Sequence, residues 1–408
     1  MRIAFFSDAY HPRVSGQVSS IDEFCKILVK RGHEVRIVCP SYPSGREAPD
    51  PFPCIRVPSG SGIVSDEDRL ALPWLAGRAL KKLDEFRPQA VHVQTEFTIG
   101  TMGRRYCRRR GLPVLSTCHT HYEMYLKEYL PLLPEGPGKT GARLWLRSVY
   151  AHDDLIVTPS RNIRDILISF GLNKPYEVIP TGVDEKIFSP QPEEARRLRE
   201  NLEHAHRGFG KGHLLIYVGR IRREKNLHLL ADAFVRIARA VPDANLLFVG
   251  EGPLQTELRH FFEAEGLGAR VAWEGYMDRE ELPAYYSAAD IFVFPSKTET
   301  QGLVTIEAML CGTPVVGVNR MGTAEILAGD SGGLLAEDDP QDFADKTLSL
   351  INDPELRLAK SLQAREHALA WSTASSGDKI ENLYFRLFGN PGRRVPSPLP
   401  SSTRASAG

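Results

Sequence analysis

Short apolar strands alternate with helical patterns along most of this 408-residue chain, and they do so in two successive sets. In the first set, residues 3–7, 35–39, 90–93, 114–117, 155–158 and 177–179 read as strands, with helices such as 20–31 and 70–86 between them. In the second, 214–218, 245–249, 271–274, 291–294 and 315–318 repeat the pattern. Such alternation implies parallel sheets covered by helices on both faces, and hence an α/β fold. Two sets imply two doubly wound domains, expected over residues 1–187 and 188–373 and joined near 180–211. A last amphipathic helix is expected over about 374–388, with Ile380, Leu383, Tyr384, Leu387 and Phe388 on its apolar side. Residues 389–408, rich in Pro and Ser, hold too few large apolar side chains to order themselves and read as a disordered tail. In sheets of this kind ligands bind beyond the carboxyl ends of the strands.

Composition narrows the class. Hydrophobic residues at 42% and charged residues at 25% are ordinary for globular domains. The net charge is zero, which argues against a dedicated nucleic-acid binder. Up to residue 187 there are 26 Lys and Arg against 21 Asp and Glu; beyond it the counts are 25 and 30. That imbalance hints at an anionic surface near the first half. The six cysteines include no C-x-x-C pair, so neither disulfides nor zinc are suggested. Cys25, Cys39, Cys118 and Cys311 lie in apolar surroundings and read as small buried residues. The N-terminus reads as a strand rather than a signal peptide, and no apolar run is long enough to span a bilayer. The expected location is the cytoplasm, with peripheral docking on the inner face of the plasma membrane.

The most informative stretch is Ser296-Lys-Thr-Glu-Thr-Gln-Gly-Leu303 and the helical pattern after it, Val304, Ile306, Ala308 and Met309, which carries Glu307. It follows the buried strand Ala289-Asp-Ile-Phe-Val-Phe294 and a stop at Pro295. Glu299 and Glu307 therefore bracket a helix N-terminus whose free N–H groups, at Leu303 and Val304 after Gly302, suit a phosphate. Two acids placed to grip sugar hydroxyls on either side of a phosphate describe a nucleotide-sugar site. The plainer reading is an acidic helix start favoured by the dipole. Upstream, strand 214–218 runs into Gly219-Arg-Ile-Arg-Arg-Glu-Lys-Asn226. The glycine permits close backbone approach, and Arg220 and Lys225 can converge on a diphosphate as a planar fork and a point charge. Taken alone, such a basic loop is usually just solvated.

The 296–309 segment resembles the signature of retaining glycosyltransferase family four. That resemblance implies the GT-B fold, two doubly wound Rossmann-like domains facing across a cleft. The wording Lys297-Thr-Glu-Thr-Gln-Gly-Leu303 is most similar to the diacylglycerol glucosyltransferase branch. Gly219-Arg220 with Glu224-Lys225-Asn226 matches a second family motif, which implies that Arg220 and Lys225 neutralise the leaving diphosphate. The turn Val249-Gly-Glu-Gly-Pro253, with Gly250 and Glu251, also fits, as do Gly275-Tyr276 and Gly322-Thr-Ala-Glu325. In the first domain, Arg13-Val-Ser-Gly-Gln-Val18 matches the family's loop over the donor phosphate, with its usual pair of glycines reduced to Gly16. In Cys118-His-Thr-His-Tyr-Glu-Met-Tyr125 the family's sugar-contacting histidine aligns with His119 rather than His121. Tyr122, Glu123 and Tyr125 become acceptor-side candidates. In the family the last helix crosses back onto the first domain.

The resemblance implies transfer of a hexose from a nucleoside diphosphate sugar to a hydroxyl with retention of the anomeric configuration. UDP-glucose and a lipid acceptor such as diacylglycerol are the first expectation; GDP-mannose with another lipid or a saccharide is the second. A sugar-nucleotide epimerase and a non-catalytic sugar-nucleotide sensor are the readings from other classes. Apolar residues around Tyr122, Tyr125 and Tyr129 suit a lipid-facing cleft or a plain core. The basic run Arg104-Arg-Tyr-Cys-Arg-Arg-Arg110 and the Trp74 region suit an anionic membrane surface. Asp66-Glu-Asp68 has the Asp-x-Asp spacing of a metal site in another fold. A helix start explains it, and Arg220 and Lys225 already supply the charge, so no metal and no cofactor are expected.

Overall fold

The computed structural model describes residues 1–13, 15–43, 50–62, 69–119, 135–206 and 208–389. The acid run 66–68, His121, Tyr122, Glu123, Tyr125 and the tail from 390 onward lie outside them. The chain divides into two compact units, Met1–Pro180 with Gly377–Gly408, and Thr181–Ser376.

The first unit is built on a parallel seven-stranded sheet. Its strands are β1 (Arg2–Phe6), β2 (Glu34–Pro40), β3 (Cys54–Val57), β6 (Ala90–Val93), β7 (Leu115–Thr117), β8 (Leu155–Thr158) and β9 (Tyr176–Val178), in the order β3-β2-β1-β6-β7-β8-β9. The order reverses between β1 and β6, and this switch point opens a crevice at the strand ends. β4 (Ser59–Ser61) and β5 (Arg69–Ala71) form a separate antiparallel pair. Central strands such as Ala90–Val93 are wholly buried, as parallel strands covered on both faces must be.

The helix Gly16–Lys30 begins earlier than its apolar pattern suggests, because Ser15 caps it: Ser15 Oγ accepts from Val18 N at 3.3 Å. The helix expected over 70–86 is shorter. Leu70 and Ala71 pair in β5, Pro73 starts a single 3-10 turn, and the α-helix runs only over Gly77–Phe86. Proline disfavours helical backbone in the residue before it, and Leu72 is accordingly extended. The helix Thr98–Arg110 has no side-chain cap of its own at Phe97. Asp8, just past β1, caps it instead, accepting from Thr98 Oγ1 and Ile99 N at 2.7 Å each and from Gly100 N at 3.2 Å.

The basic run on that helix divides in two. Arg104 is 6% exposed and is spent inside the unit, donating to Asp153, to Thr95 O at 2.9 Å and to Ser116 Oγ at 3.0 Å. Arg105, Arg108, Arg109 and Arg110 remain exposed. Arg104 is therefore removed from the surface expected to face a membrane.

The helix Thr373–Phe388 starts in the second unit and continues in the first. There Ile380, Leu383, Tyr384 and Leu387 join the core cluster of Ile3, Phe5, Phe24 and Leu28. Arg31 and His33 hold Glu381 at 2.7 and 2.8 Å.

The second unit has a parallel six-stranded sheet: β10 (His213–Val218), β11 (Ala244–Val249), β12 (Val271–Glu274), β13 (Ile291–Phe294), β14 (Val315–Val318) and β15 (Gly333–Ala336). Their order is β12-β11-β10-β13-β14-β15, with its switch point between β10 and β13. Beside the pair β4 and β5, two strands of the parallel sheets escaped the sequence reading, β3 and β15. Arg56 interrupts the first, and the second is a short run of Gly, Leu and Ala without β-branched residues. Five of the six cysteines are buried, Cys54 being the partly exposed one, and Cys311 alone belongs to the second unit.

No helix among the described residues is long and apolar enough to cross a membrane.

Candidate functional site

In the second unit both loops that flank the switch point carry the charged motifs. After β10 the chain turns at Gly219, whose φ is +145°, and after β11 at Gly250, whose φ is +129°. The two turns interlock: Gly219 N donates to Val249 O at 3.0 Å and Ile221 N to Glu251 O at 2.9 Å. A Cβ on Gly250 would stand 2.2 Å from Gly219 O, so only glycine lets these backbones meet. Tyr217 is fully buried and its hydroxyl donates to Arg220 O at 3.0 Å, bracing the loop from below. Burial first, then the nearby Glu299 and Glu224, hold that phenol well above its ordinary range.

Lys225 and Glu299 come together as an ion pair, each side chain mostly buried. Glu299 is held further by Ser296 Oγ at 3.0 Å, and its carbonyl accepts from Gly322 N at 2.9 Å. A Cβ on Gly322 would lie 2.8 to 2.9 Å from the Gln301 backbone, which gives this glycine a reason the sequence alone did not. Asn226, at φ +59°, ties the two loops together, its Nδ2 donating to Pro295 O at 3.2 Å and to Asp338 Oδ1 at 3.0 Å. Arg220 behaves differently. Its side chain is 59% exposed and lies 3.5 Å from Glu224. Lys225 is thus preset while Arg220 stays outside.

Gly302, at φ +80°, opens the helix Leu303–Leu310. The first bonds back to Gly302 O come from Thr305 N at 3.0 Å and Ile306 N at 3.5 Å, so the N–H groups of Leu303 and Val304 precede the helical ladder. The hydroxyls of Thr305 and Thr323 border Gly302 and are buried without a partner. Glu307 sits one turn further in. Its Oε2 accepts from Tyr286 OH at 3.1 Å and its Oε1 lies 3.4 Å from Arg279. The two acids therefore have separate partners: Glu299 belongs to Lys225, Glu307 to Tyr286 and Arg279. Glu251 approaches Gly275 and Tyr276, with its Oε1 3.5 Å from Tyr276 N.

In the first unit His119 lies just past β7, half-buried, with Nε2 2.7 Å from Gln94 Oε1. Burial pushes its imidazole down to about 4, so the ring is neutral at pH 7. Gln17, one residue into the helix that Gly16 starts, donates to Gln94 O at 3.0 Å and to Ser7 Oγ at 3.2 Å. Ser7, Gln17 and Gln94 thus gather at the β1/β6 switch point. A Cβ on Gly16 would meet nothing within 4 Å, so packing inside the unit does not demand that glycine.

Residues 14–186 match the profile described as Glycosyltransferase Family 4, and residues 199–367 match that described as Glycosyl transferases group 1. The chain is also 31% identical over 321 residues to an alpha-monoglucosyldiacylglycerol synthase of Streptococcus pneumoniae, covering 78% of this chain and 70% of that one. The chain belongs to glycosyltransferase family four. A second relative, at 26% identity over 92% of this chain and 94% of its own, is a GDP-mannose-dependent alpha-(1-6)-phosphatidylinositol dimannoside mannosyltransferase of Mycobacterium tuberculosis. Among solved structures, Anabaena HepE in complex with UDP superposes with a TM-score of 0.73 over 95% of this chain and 99% of its own, at 18% identity. The fold of this family four enzyme is therefore GT-B. It is a retaining hexosyltransferase that takes a sugar from a nucleotide-sugar donor to an acceptor.

Proposed function

We propose that this enzyme moves a glucosyl residue from UDP-glucose to a lipid hydroxyl such as that of diacylglycerol. The observation that carries the donor half is the Lys225–Glu299 ion pair beside the N-terminus of Leu303–Leu310, at the switch point of the second unit. An arriving diphosphate competes with Glu299 for the ammonium, which turns the freed carboxylate to the sugar hydroxyls. Arg220, exposed before binding, folds onto the same diphosphate. The amides of Leu303 and Val304 take phosphate oxygens, Glu307 holds the ribose, and the turns at Gly250, Glu251 and Gly275 border the nucleoside. By the family resemblance His119 is read as the contact to a transferred sugar and Gly16 as part of a phosphate loop.

The bond from the anomeric carbon to the diphosphate breaks while the acceptor oxygen bonds that carbon on the same face. The acceptor proton passes to a leaving phosphate oxygen, so no side-chain base is required. Lys225 and Arg220 act by stabilising the charge that grows on the leaving group.

The lipid half is supported by the 31% identity to an alpha-monoglucosyldiacylglycerol synthase. It is also supported by the surface around Trp74 and Leu75, which are 76% and 51% exposed beside Arg78, Lys81 and Lys82. Phe97, exposed as well, lies against Trp145, their rings tilted and 5.3 Å apart. Aromatic and aliphatic residues rimmed by cations suit an anionic bilayer surface. The second reading, mannosyl transfer from GDP-mannose, is favoured by the mycobacterial relative.

A donor-and-acceptor screen with membrane extract, read by mass spectrometry, tests the assignment. Hexose addition to diacylglycerol from UDP-glucose alone is the expected result. Hexose addition only from GDP-mannose transfers the case to the second reading. Nucleotide release without any acceptor points to an epimerase, and binding without turnover to a sensor.

A further inference from the structure

Two polar rungs cross from β6 to β7 in the sheet of the first unit. In the first, His92 Nε2 lies 2.7 Å from Thr117 Oγ1, and its Nδ1 lies 2.8 Å from Tyr384 OH on the last helix. Residue 92 stands opposite Leu115 in the parallel ladder, so the rung reaches two residues further along β7. In the second, Gln94 reaches His119 with the same offset, each partner two residues on. Side chains two apart on a strand share a face. The first rung is closed within the core. The second ends on a half-buried histidine at the strand ends, beside the switch point.

We propose that Gln94 is the positioning residue for His119: its side-chain carbonyl takes the Nε2 proton and leaves Nδ1 as the acceptor for a hydroxyl of the transferred sugar. This rests on the reading that places His119 on that sugar.

Three observations carry the assignment. Gln94 is buried and its backbone is pinned on both sides, the carbonyl by Gln17 and the N–H on Phe6 O at 2.7 Å; its side-chain Nε2 is buried without a partner, so among the described residues His119 is the group its amide bonds. The partner is an amide rather than a carboxylate. A carboxylate facing the imidazole would favour its charged form, whereas an amide oxygen orients the ring without adding charge. Finally, the ring's burial already favours the neutral form. A neutral, oriented imidazole is a lone-pair acceptor, and a sugar hydroxyl is the donor it matches.

The test uses the full chain with 15N-labelled histidine, His119 being identified by the signal lost in His119→Gln. The expected spectrum has the proton on Nε2, with no titration between about pH 5.5 and 8. Gln94→Ala should scramble the tautomer and lower kcat about tenfold, the worth of one hydrogen bond, while donor KM stays within about twofold. Gln94→Glu should raise the pKa of His119, so that the neutral ring is lost as pH falls through the raised value and turnover gains an acid limb that the native enzyme lacks. A proton on Nδ1 in the native protein, or an unchanged tautomer in Gln94→Ala, overturns the proposal. If the tautomer responds to Gln94 as stated while turnover in both Gln94→Ala and His119→Gln stays native, the orienting role stands and the placement of His119 on the sugar falls.

Discussion

Lys225 and Glu299 lie on loops 74 residues apart in sequence, yet they share an ion pair that Ser296 and Gly322 hold in place. A cation and an anion that neutralise each other before substrate arrives cost less to keep in a mostly buried site than either would alone. In the proposed site the diphosphate takes over the ammonium, and the freed carboxylate passes to the sugar hydroxyls.

The first consequence concerns the leaving group. Lys225→Ala and Arg220→Ala should each lower kcat at least a hundredfold, since charge-assisted contacts to a developing anion are worth roughly 3 kcal/mol. EDTA should leave the native rate nearly unchanged. A magnesium requirement together with activity in the double variant would defeat the metal-free reading.

The separate partners of the two acids predict separate phenotypes. Glu299→Gln should mainly slow the chemical step, and Glu307→Gln should mainly weaken binding of the free nucleotide by titration calorimetry. Glu307→Gln should also lower thermal stability by about 1 kcal/mol, because Arg279 loses a buried charge partner. Equal losses of UDP affinity in both variants would remove the division of labour.

Gly250→Ala and Gly322→Ala test whether the loops carry the site by contact with one another. The added methyl meets Gly219 O in one variant and the Gln301 backbone in the other. Each should destabilise the second unit by about 2 kcal/mol and abolish donor binding. Proteolysis should then cut first within 181–376. Wild-type donor affinity in both variants would mean that the loops tolerate separation.

Membrane docking separates the arginines. The protein should sediment with vesicles of anionic lipid and release as salt rises, because exposed charges are screened over about 10 Å at 0.1 M. Replacing Arg105, Arg108 and Arg109 with Glu should abolish sedimentation while UDP binding persists. Arg104→Glu should instead unfold the first unit, since it places a second acid against buried Asp153. Indifference to vesicles of every composition would point to a saccharide acceptor.

Two sheets and the charged loops after β10 and β13 were legible in the sequence because each is local. An unbroken apolar run announces a buried parallel strand, and Glu299, Gly302 and Glu307 lie within one strand–loop–helix. What stayed hidden comes from residues distant in sequence. Nothing near Glu307 announces Tyr286 and Arg279, and nothing near Asn226 announces Asp338. Arg104 looks like its neighbours Arg105 and Arg108 until the helix turns it inward against Asp153. The boundary at Gly77 was missed because the Trp74 region has helical composition, while Pro73 and the pairing of Ala71 with Ser59 break the helix before it starts. Gly322 was marked in the sequence only by the family resemblance; its reason, the backbone of Gln301, lies on another loop.

The buried cysteines give the two units separate chemical clocks. Burial holds the thiols of Cys25 and Cys311 well above their ordinary range and that of Cys107 at about 12, so the reactive thiolate is scarce while the fold is closed. Cys311 is the single sulfhydryl of the second unit, next to the helix that carries Glu307. Its alkylation therefore times the opening of the second unit alone, and Cys25 times the other, so the lifetime of each half can be read from one chain without a mutation.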